Sequence, residues 1–310
     1  MPANLETMFY TRVAPWHGLG ICVEDALSSN DALKKSGLDW TVIQRPIMTN
    51  LYDPIPGYKA NIRETDNRVL GVVSDRYKIV QNNEAFAFVD ALLGEGVRFE
   101  TAGSLHGGRK VWMLAKLPEQ YTMLEDRVEP YLVFYNSHDG TSSVRVACTP
   151  IRVVCQNTLN LALHNAKRMW STVHVGNLTH KMEEVQQTLM FARRYMDNLN
   201  AEFNRLSQIQ LPDSRVTEYI EMLLPMDEDP SDIHRKNVNT IRKDLTMRYF
   251  DAPDLQHVDR NAYRFVCAVS DFATHAKPLR ETSNYRENMF AKTITGNPLI
   301  DRAYDMVLAA

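Results

Sequence analysis

Near residue 177 the amino-acid sequence changes its pattern, and this change limits the possible folds more than any other feature. From Leu178 to Leu206 apolar residues recur in steps of four and three, which is the heptad pattern of a long helix at about 178–207. Before residue 177, short apolar runs are separated by turn residues, as in mixed strands and helices. The sequence therefore predicts an α+β domain over 1–176 and a mostly helical region over 177–310.

Four β-rich runs in the first domain are separated by turn residues, and they predict two consecutive antiparallel hairpins. The runs are Val97–Ser104, Arg109–Leu117, Tyr131–Tyr135 and Val144–Thr149. After Pro150, apolar residues at helical spacing predict a helix over VCQNTLNLALHNAKR, and a further strand is expected over Met169–Val175. We therefore expect an α+β fold with antiparallel hairpins followed by a helix, a β-β-β-α-like core.

The heptad seam has two interpretations. Intrachain bundles and self-associating coiled coils use the same spacing, so the seam either packs on the protein's own helices or joins the subunits of a homo-oligomer. A later helix, which Ser231 or Asp232 can cap, carries five basic residues against one acid, Asp244. The five are Arg235, Lys236, Arg242, Lys243 and Arg248.

Several classes of protein are not indicated by the sequence. No apolar run approaches the roughly 20 residues that cross a bilayer, and the first residues lack the pattern of a signal peptide, so a cytoplasmic protein without membrane contact is expected. The four cysteines do not have zinc-site spacing, the histidines form no close ligand pair, and SLHGGRKV lacks the spacing of a phosphate loop. We expect neither a metal nor another cofactor.

One segment contains no carboxylate, although the chain has a net charge of -3. Asp139 is the last acid before Glu183, so 43 consecutive residues lack Asp and Glu. Basic residues within this segment, and two more on the preceding hairpin, could contact the phosphates of single-stranded DNA. They are Arg145, Arg152, Lys167 and Arg168 in the segment, and Arg109 and Lys110 on the hairpin.

Aromatic and amide side chains are interleaved with these charges. Trp112 and Tyr135 are candidates for stacking on bases, and Gln156 and Asn157 could hydrogen-bond to the backbone of a single strand. Each also has a structural interpretation, because Trp112 alternates with apolar neighbours and Gln156 or Asn157 can begin a helix.

A cysteine-dependent enzyme is an alternative. Cys155 is predicted near a helix N-terminus, which lowers a thiol pKa, and His138 with Asp139 could supply a base and its orienting partner. The same residues have simpler roles, because Cys is often buried and Ser, Asp and Gly are the residues that a tight turn requires.

Five segments together resemble the phage/plasmid-like protein family built on domain of unknown function 932. They are PWHGLG, SGLDWTV, YNSHDGTSS, TPIRVVCQNTLNLAL and YRFVCAVSDFATHAKPLR. The resemblance implies a phage or plasmid setting. The predicted core is also similar in topology to single-strand annealing proteins of recombination, which assemble as rings or filaments and bind DNA without ATP or metal. A second alternative is a mobile-element factor that binds a host protein through the heptad face or the MDEDPSD segment.

Overall fold

The computed structural model of the protein is a mixed α+β structure. It describes residues 5–11, 21–23, 28–93, 98–152, 157–158, 161, 163, 168–176, 186–279, 292 and 296–309. The strands are β1 Leu5–Thr11, β2 Ile21–Val23, β3 Val42–Met48, β4 Pro54–Arg63, β5 Arg68–Ser74, β6 Arg98–Leu105, β7 Lys110–Lys116, β8 Tyr121–Met123, β9 Asp126–Ser137, β10 Val144–Arg152, β11 Asn157–Thr158 and β12 Met169–Thr172. The α-helices are α1 Ser29–Lys35, α2 Asn82–Leu93, α3 Gln186–Ser207, α4 Asp213–Leu223, α5 Asp232–Asp251, α6 Ala262–His275 and α7 Pro298–Leu308. Among the described residues, no helix is both long enough and apolar enough to span a membrane.

The chain forms two compact units that interleave along the sequence. The first unit contains residues 1–119, 131–148 and 167–193, and the second contains residues 120–130, 149–166 and 194–310. A single boundary at residue 176 was predicted instead. The difference arises because β9 and β10 each begin in one unit and end in the other.

The first unit contains most of the strands. In its larger sheet the strand order is β10-β9-β7-β6-β1-β2, and β12 pairs with β10. A smaller antiparallel sheet has the order β3-β4-β5. The predicted β6–β7 hairpin is confirmed, because Leu105 lies opposite Lys110 and the glycines at 107 and 108 adopt the positive φ that its turn requires. A short turn at 138–143 joins β9 and β10.

The predicted hairpin–helix core is not confirmed. Where the first turn of the helix after Pro150 was expected, Asn157–Thr158 forms β11 and pairs with the end of β10, Thr158 lying opposite Ile151. The backbone N–H and C=O groups of these residues therefore hydrogen-bond to a neighbouring strand. The helical spacing of apolar residues does not reveal this pairing. Most of the other residues for which a helix was predicted lie outside the described residues. The predicted strand at Met169 is confirmed as β12.

In the second unit, the described part of the heptad seam is buried. Met196, Leu199, Phe203 and Leu206 are at most 1% exposed. Within the same unit, the rings of Phe203 and Tyr263 lie with centroids 4.9 Å apart. This part of the seam therefore packs on the protein's own chain, as the first interpretation of the heptad pattern predicted. It does not present an apolar surface to another subunit.

Arg264 of α6 holds the end of α5. Its guanidinium is 5% exposed and donates to four carbonyl oxygens. They belong to Tyr249, Phe250, Leu255 and Val258, at distances of 2.7–3.2 Å. The last carbonyls of a helix have no hydrogen-bond donor within the helix and carry partial negative charge. A buried guanidinium at this position supplies both the donors and the opposite charge. Burial lowers the pKa of Arg264.

Candidate functional site

The β9–β10 turn, residues 138–143, is organised around the Asp139 carboxylate. Its Oδ1 accepts hydrogen bonds from the Thr141 backbone N–H at 2.9 Å, from the Thr141 hydroxyl at 2.6 Å and from the Ser137 hydroxyl. Gly140 has a φ of 75°. Burial acts to raise the pKa of Asp139, but the hydrogen bonds from Ser137 and Thr141 outweigh it, and the pKa is lowered. These contacts are those of a tight turn, as the simpler interpretation of SHDG predicted.

Buried polar groups from distant parts of the first unit hold this turn. The Asn61 amide donates to the His138 carbonyl at 2.7 Å, and the Tyr77 hydroxyl donates to the Ser137 carbonyl at 2.6 Å. The Asn136 amide donates to the Val80 carbonyl at 3.1 Å. Asn61 and Tyr77 were not predicted, because each lies 60 residues or more from its partner in sequence.

His138 is a buried, neutral residue. It has no exposed surface, and its Nε2 lies 2.9 Å from the Oδ1 of Asn82. Because the Asn82 amide nitrogen donates to the Leu38 carbonyl, Oδ1 is the acceptor and His138 donates. Burial lowers the pKa of His138 to about 3, with a smaller contribution from nearby His174. Such an imidazole is a poor general base at neutral pH, and Cys155 lies outside the described residues, so the structure gives the enzyme alternative no support.

A cleft of about 460 Å³ lies beside the turn. Hydroxyl groups of the turn and of β5 line it, together with the Asp139 carboxylate, His174 and several valines. His174 stacks on Tyr77 with ring centroids 4.4 Å apart, and its Nδ1 donates to the Lys78 carbonyl at 3.0 Å. Burial lowers the pKa of His174, so this ring is also neutral near pH 7. The cleft thus combines polar rims with apolar walls and a single carboxylate.

Gly71 of β5 is required by the close approach of the turn. A Cβ at this position would lie 2.5 Å from the Cα of Asp139, which is backbone and cannot rotate away. We expect Gly71→Ala to destabilise the first unit by about 1–3 kcal/mol, as overpacking does. Urea denaturation measures the change, with Ser74→Ala on the same strand as the control. Equal stability of the two variants would contradict the close contact.

Three of the predicted phosphate-binding residues gather at the end of the larger sheet where this turn lies. The Arg109 carbonyl accepts from the His138 N–H at 2.7 Å, Lys110 begins β7 opposite Ser137, and the Arg145 Nε donates to the Ser143 hydroxyl at 3.3 Å. Among the described residues, neither Arg109 nor Arg145 forms an ion pair with a carboxylate. We call Arg109, Lys110 and Arg145 the basic end of the sheet.

The other predicted contacts do not extend the basic end continuously. Arg168 donates from Nη1 to the Cys148 carbonyl at 3.3 Å. Cys148 is three residues beyond Arg145 on β10, roughly 10 Å along the strand. The backbone of Arg152 lies opposite Asn157, but their side chains are outside the described part of the chain, as are Gln156 and Lys167.

Trp112 and Tyr135 are withdrawn as stacking groups. Their side chains are 4% and 8% exposed, and they lie opposite each other on β7 and β9. Burial at this level leaves no ring face for a base. The structural interpretation of Trp112 therefore agrees with the structure, in which Val111, Trp112 and Met113 are all buried.

Residues 69–293 match the family described as domain of unknown function 932 (DUF932). The chain belongs to this family. No curated protein and no solved structure matches the chain. The match in this DUF932 protein includes the β9–β10 turn, the cleft residues and Arg264, whereas PWHGLG lies before it.

Proposed function

We propose that this DUF932 protein binds single-stranded nucleic acid, with its phosphates at the basic end of the sheet. The observation that carries the proposal is the position of the acid-free segment, which starts at the β9–β10 turn and contains Arg145. Arg109 and Lys110 come from another hairpin to the same end. Arg109 and Arg145, which form no ion pair with a carboxylate among the described residues, attract a polyanion even when the whole chain is acidic.

The hydroxyl groups of the turn complement these cations. Ser142 and Ser143 line the cleft beside Arg145, and hydroxyl groups are common donors to phosphate oxygens. The single carboxylate of the cleft, Asp139, is occupied by the hydrogen bonds of the turn. Its negative charge is also close to Lys110, which helps to lower the Asp139 pKa.

The more specific proposal is a single-stranded DNA annealing protein of a phage or plasmid, acting in recombination in the cytoplasm as a homo-oligomer. It rests on the resemblance to the phage/plasmid-like family; the topological similarity to annealing proteins adds no support, because the hairpin–helix core on which it was based is not confirmed. Because the described heptad residues are buried in the chain, a ring or filament would have to use other surfaces, such as the exposed Arg235, Lys236 and Lys243 of α5.

Fluorescence anisotropy with a labelled oligothymidine tests the proposal. We expect binding at about 50 mM salt that weakens steeply by about 200 mM, because phosphate contacts release counterions. The absence of binding at the lower salt would reject the function.

Arg109→Glu with Arg145→Glu is expected to weaken binding at least ~10-fold for every base composition, since two phosphate contacts become repulsive. The matched control is Lys34→Glu with Lys35→Glu, which makes the same change of charge at two exposed residues of α1. If the control weakened binding more than the test variant, the contact would be misplaced.

A further inference from the structure

One face of the smaller sheet is buried and the other is open. On the buried face, Asn61, Arg63 and Val73 are at most 8% exposed. On the open face, Tyr58 is 55% and Val72 is 57% exposed. The strand register explains the difference, because side chains alternate between the two faces along β4 and its neighbours.

The open face is apolar and basic. Ala60 lies at its centre, opposite Arg45 on β3 and Val72 on β5. None of the described strand residues on this face is acidic; Glu64 lies one residue beyond the end of β4 and accepts from the Thr41 hydroxyl. The residues of this face are Ile43, Arg45, Tyr58, Ala60, Val69, Val72 and Ser74, whereas Ile62 on the same side is buried. Among the described residues Arg45 has no ion-pair partner, so its charge is available to an anionic ligand.

The β3–β4 loop presents an aromatic ring at the tip of the same sheet. The Thr49 hydroxyl accepts from the Asp53 N–H at 3.1 Å, and the Thr49 N–H donates to the Asp53 carbonyl at 2.8 Å, which closes the loop tightly. Tyr52 is 84% exposed with a φ of 64°. A positive φ is unfavourable for an aromatic residue, so the loop holds this ring in water at a conformational cost.

The open face adjoins the basic end within the first unit. Val72 and Ser74 of β5 line the cleft together with Thr141 and Ser143 of the turn. Ser143 in turn accepts a hydrogen bond from Arg145. A single strand of nucleic acid bound at Arg145 would therefore reach the open face across the cleft. All of its contacts along this path would be with residues of the first unit.

We propose that the open face is the base-stacking platform for the bound single strand. Tyr52 and Tyr58 stack on bases, and Arg45 contacts a phosphate or a base plane. Stacking on aromatic rings beside a basic track is how single strands are bound without sequence preference. The proposal rests on the proposed function, and it replaces the buried Trp112 and Tyr135 with rings that a base can reach.

A partner protein or a second copy of the chain would also cover apolar surface. The chemistry of this face favours nucleic acid, because Arg45 is the only charged side chain among the described strand residues that form it, and its exposed rings are tyrosines. It is also continuous with the basic end. Apolar association alone would gain nothing from an unpaired Arg45 at the centre of the contact, since burying that charge without a partner is unfavourable.

Tyr52→Ala with Tyr58→Ala in the full chain tests the platform. We expect oligothymidine affinity to fall roughly 10- to 100-fold, since two stacking contacts are lost, while the salt dependence stays unchanged. Tyr52→Phe with Tyr58→Phe should retain affinity because the rings remain. Binding to an oligomer of abasic deoxyribose phosphate should be equal for wild type and the alanine variant. The control is Ile233→Ala with Met247→Ala, two exposed apolar residues of α5.

The outcomes separate the two proposals. Failure of the wild type to bind at low salt rejects the proposed function and the platform with it. If the alanine variant binds oligothymidine as tightly as the wild type does, the platform is overturned and the proposed function stands. If the alanine variant lost as much affinity for the abasic oligomer as for oligothymidine, the platform would also be overturned, because the tyrosines would then not act through bases. Loss of self-association with unchanged DNA affinity would assign the face to a second copy and overturn it as well.

Discussion

Arg264→Met is expected to lower the free energy of unfolding of the second unit by about 3–5 kcal/mol, because several buried carbonyl oxygens lose their donor and each such loss costs about 1–3 kcal/mol. The methionine fills similar volume but donates no hydrogen bond. Four carbonyl oxygens at and just beyond the end of α5 would then lose the donor that the guanidinium supplies. Leaving a buried acceptor without a partner costs the desolvation of that group.

Urea denaturation followed by circular dichroism measures this change. The matched control is Arg260→Met, four residues earlier, where an exposed guanidinium pairs with Asp213 at 2.7 Å. An ion pair on the surface is worth at most about 1 kcal/mol, so the control should stay close to the wild type. Arg264→Lys should fall between them, because an ammonium cannot reproduce the planar fork of donors. If Arg264→Met were as stable as the Arg260 control, the capping role would be wrong.

Acid is expected to destabilise the protein through His138. The pKa of this imidazole is about 3 in the folded chain, below its ordinary value of 6.5, because it is buried. Between these values the unfolded chain binds the proton and the folded chain does not, so stability falls as pH falls. The slope contributed by one such group approaches about 1.4 kcal/mol per pH unit. His174, whose pKa is lowered as well, acts in the same direction.

The measurement is the free energy of unfolding in urea at several pH values between about 4 and 7, compared between wild type and His138→Gln. The glutamine amide can still donate to Asn82 but does not titrate. The variant should therefore have a shallower dependence on pH, whatever its absolute stability. An identical slope for His138→Gln and wild type would mean that this histidine is protonated in the folded state.

Local patterns predicted the parts of the fold that depend on neighbouring residues. Alternating apolar residues with a glycine turn predicted the β6–β7 hairpin, and SHDG predicted a tight turn from its own side chains. The heptad spacing predicted a long helix at about 178–207, and α3 occupies Gln186–Ser207 of that range. In each case the decisive hydrogen bonds or contacts connect positions that are close along the chain.

The remainder depends on contacts between distant segments. The groups that hold the turn, Asn61 and Tyr77, have no sequence pattern that links them to Ser137 or His138. Likewise, the open face of the smaller sheet is recognised from the exposure of Tyr58 and Val72, which depends on the packing of the described residues and not on the local sequence. The local sequence of β4, in which Tyr58 lies between Gly57 and Lys59, does not reveal that the Tyr58 ring is exposed to water.

The crossing of β9 and β10 between the two units has a consequence for how this protein can be divided. Asp126, at the start of β9, accepts from the Tyr263 hydroxyl at 2.9 Å inside the second unit, whereas Ser137, at the other end of that strand, belongs to the first. Because each unit is built from alternating segments of the chain, no single cut of the backbone separates the two units. A fragment that ends at residue 176 would contain residues 120–130 and 149–166 of the second unit without residues 194–310.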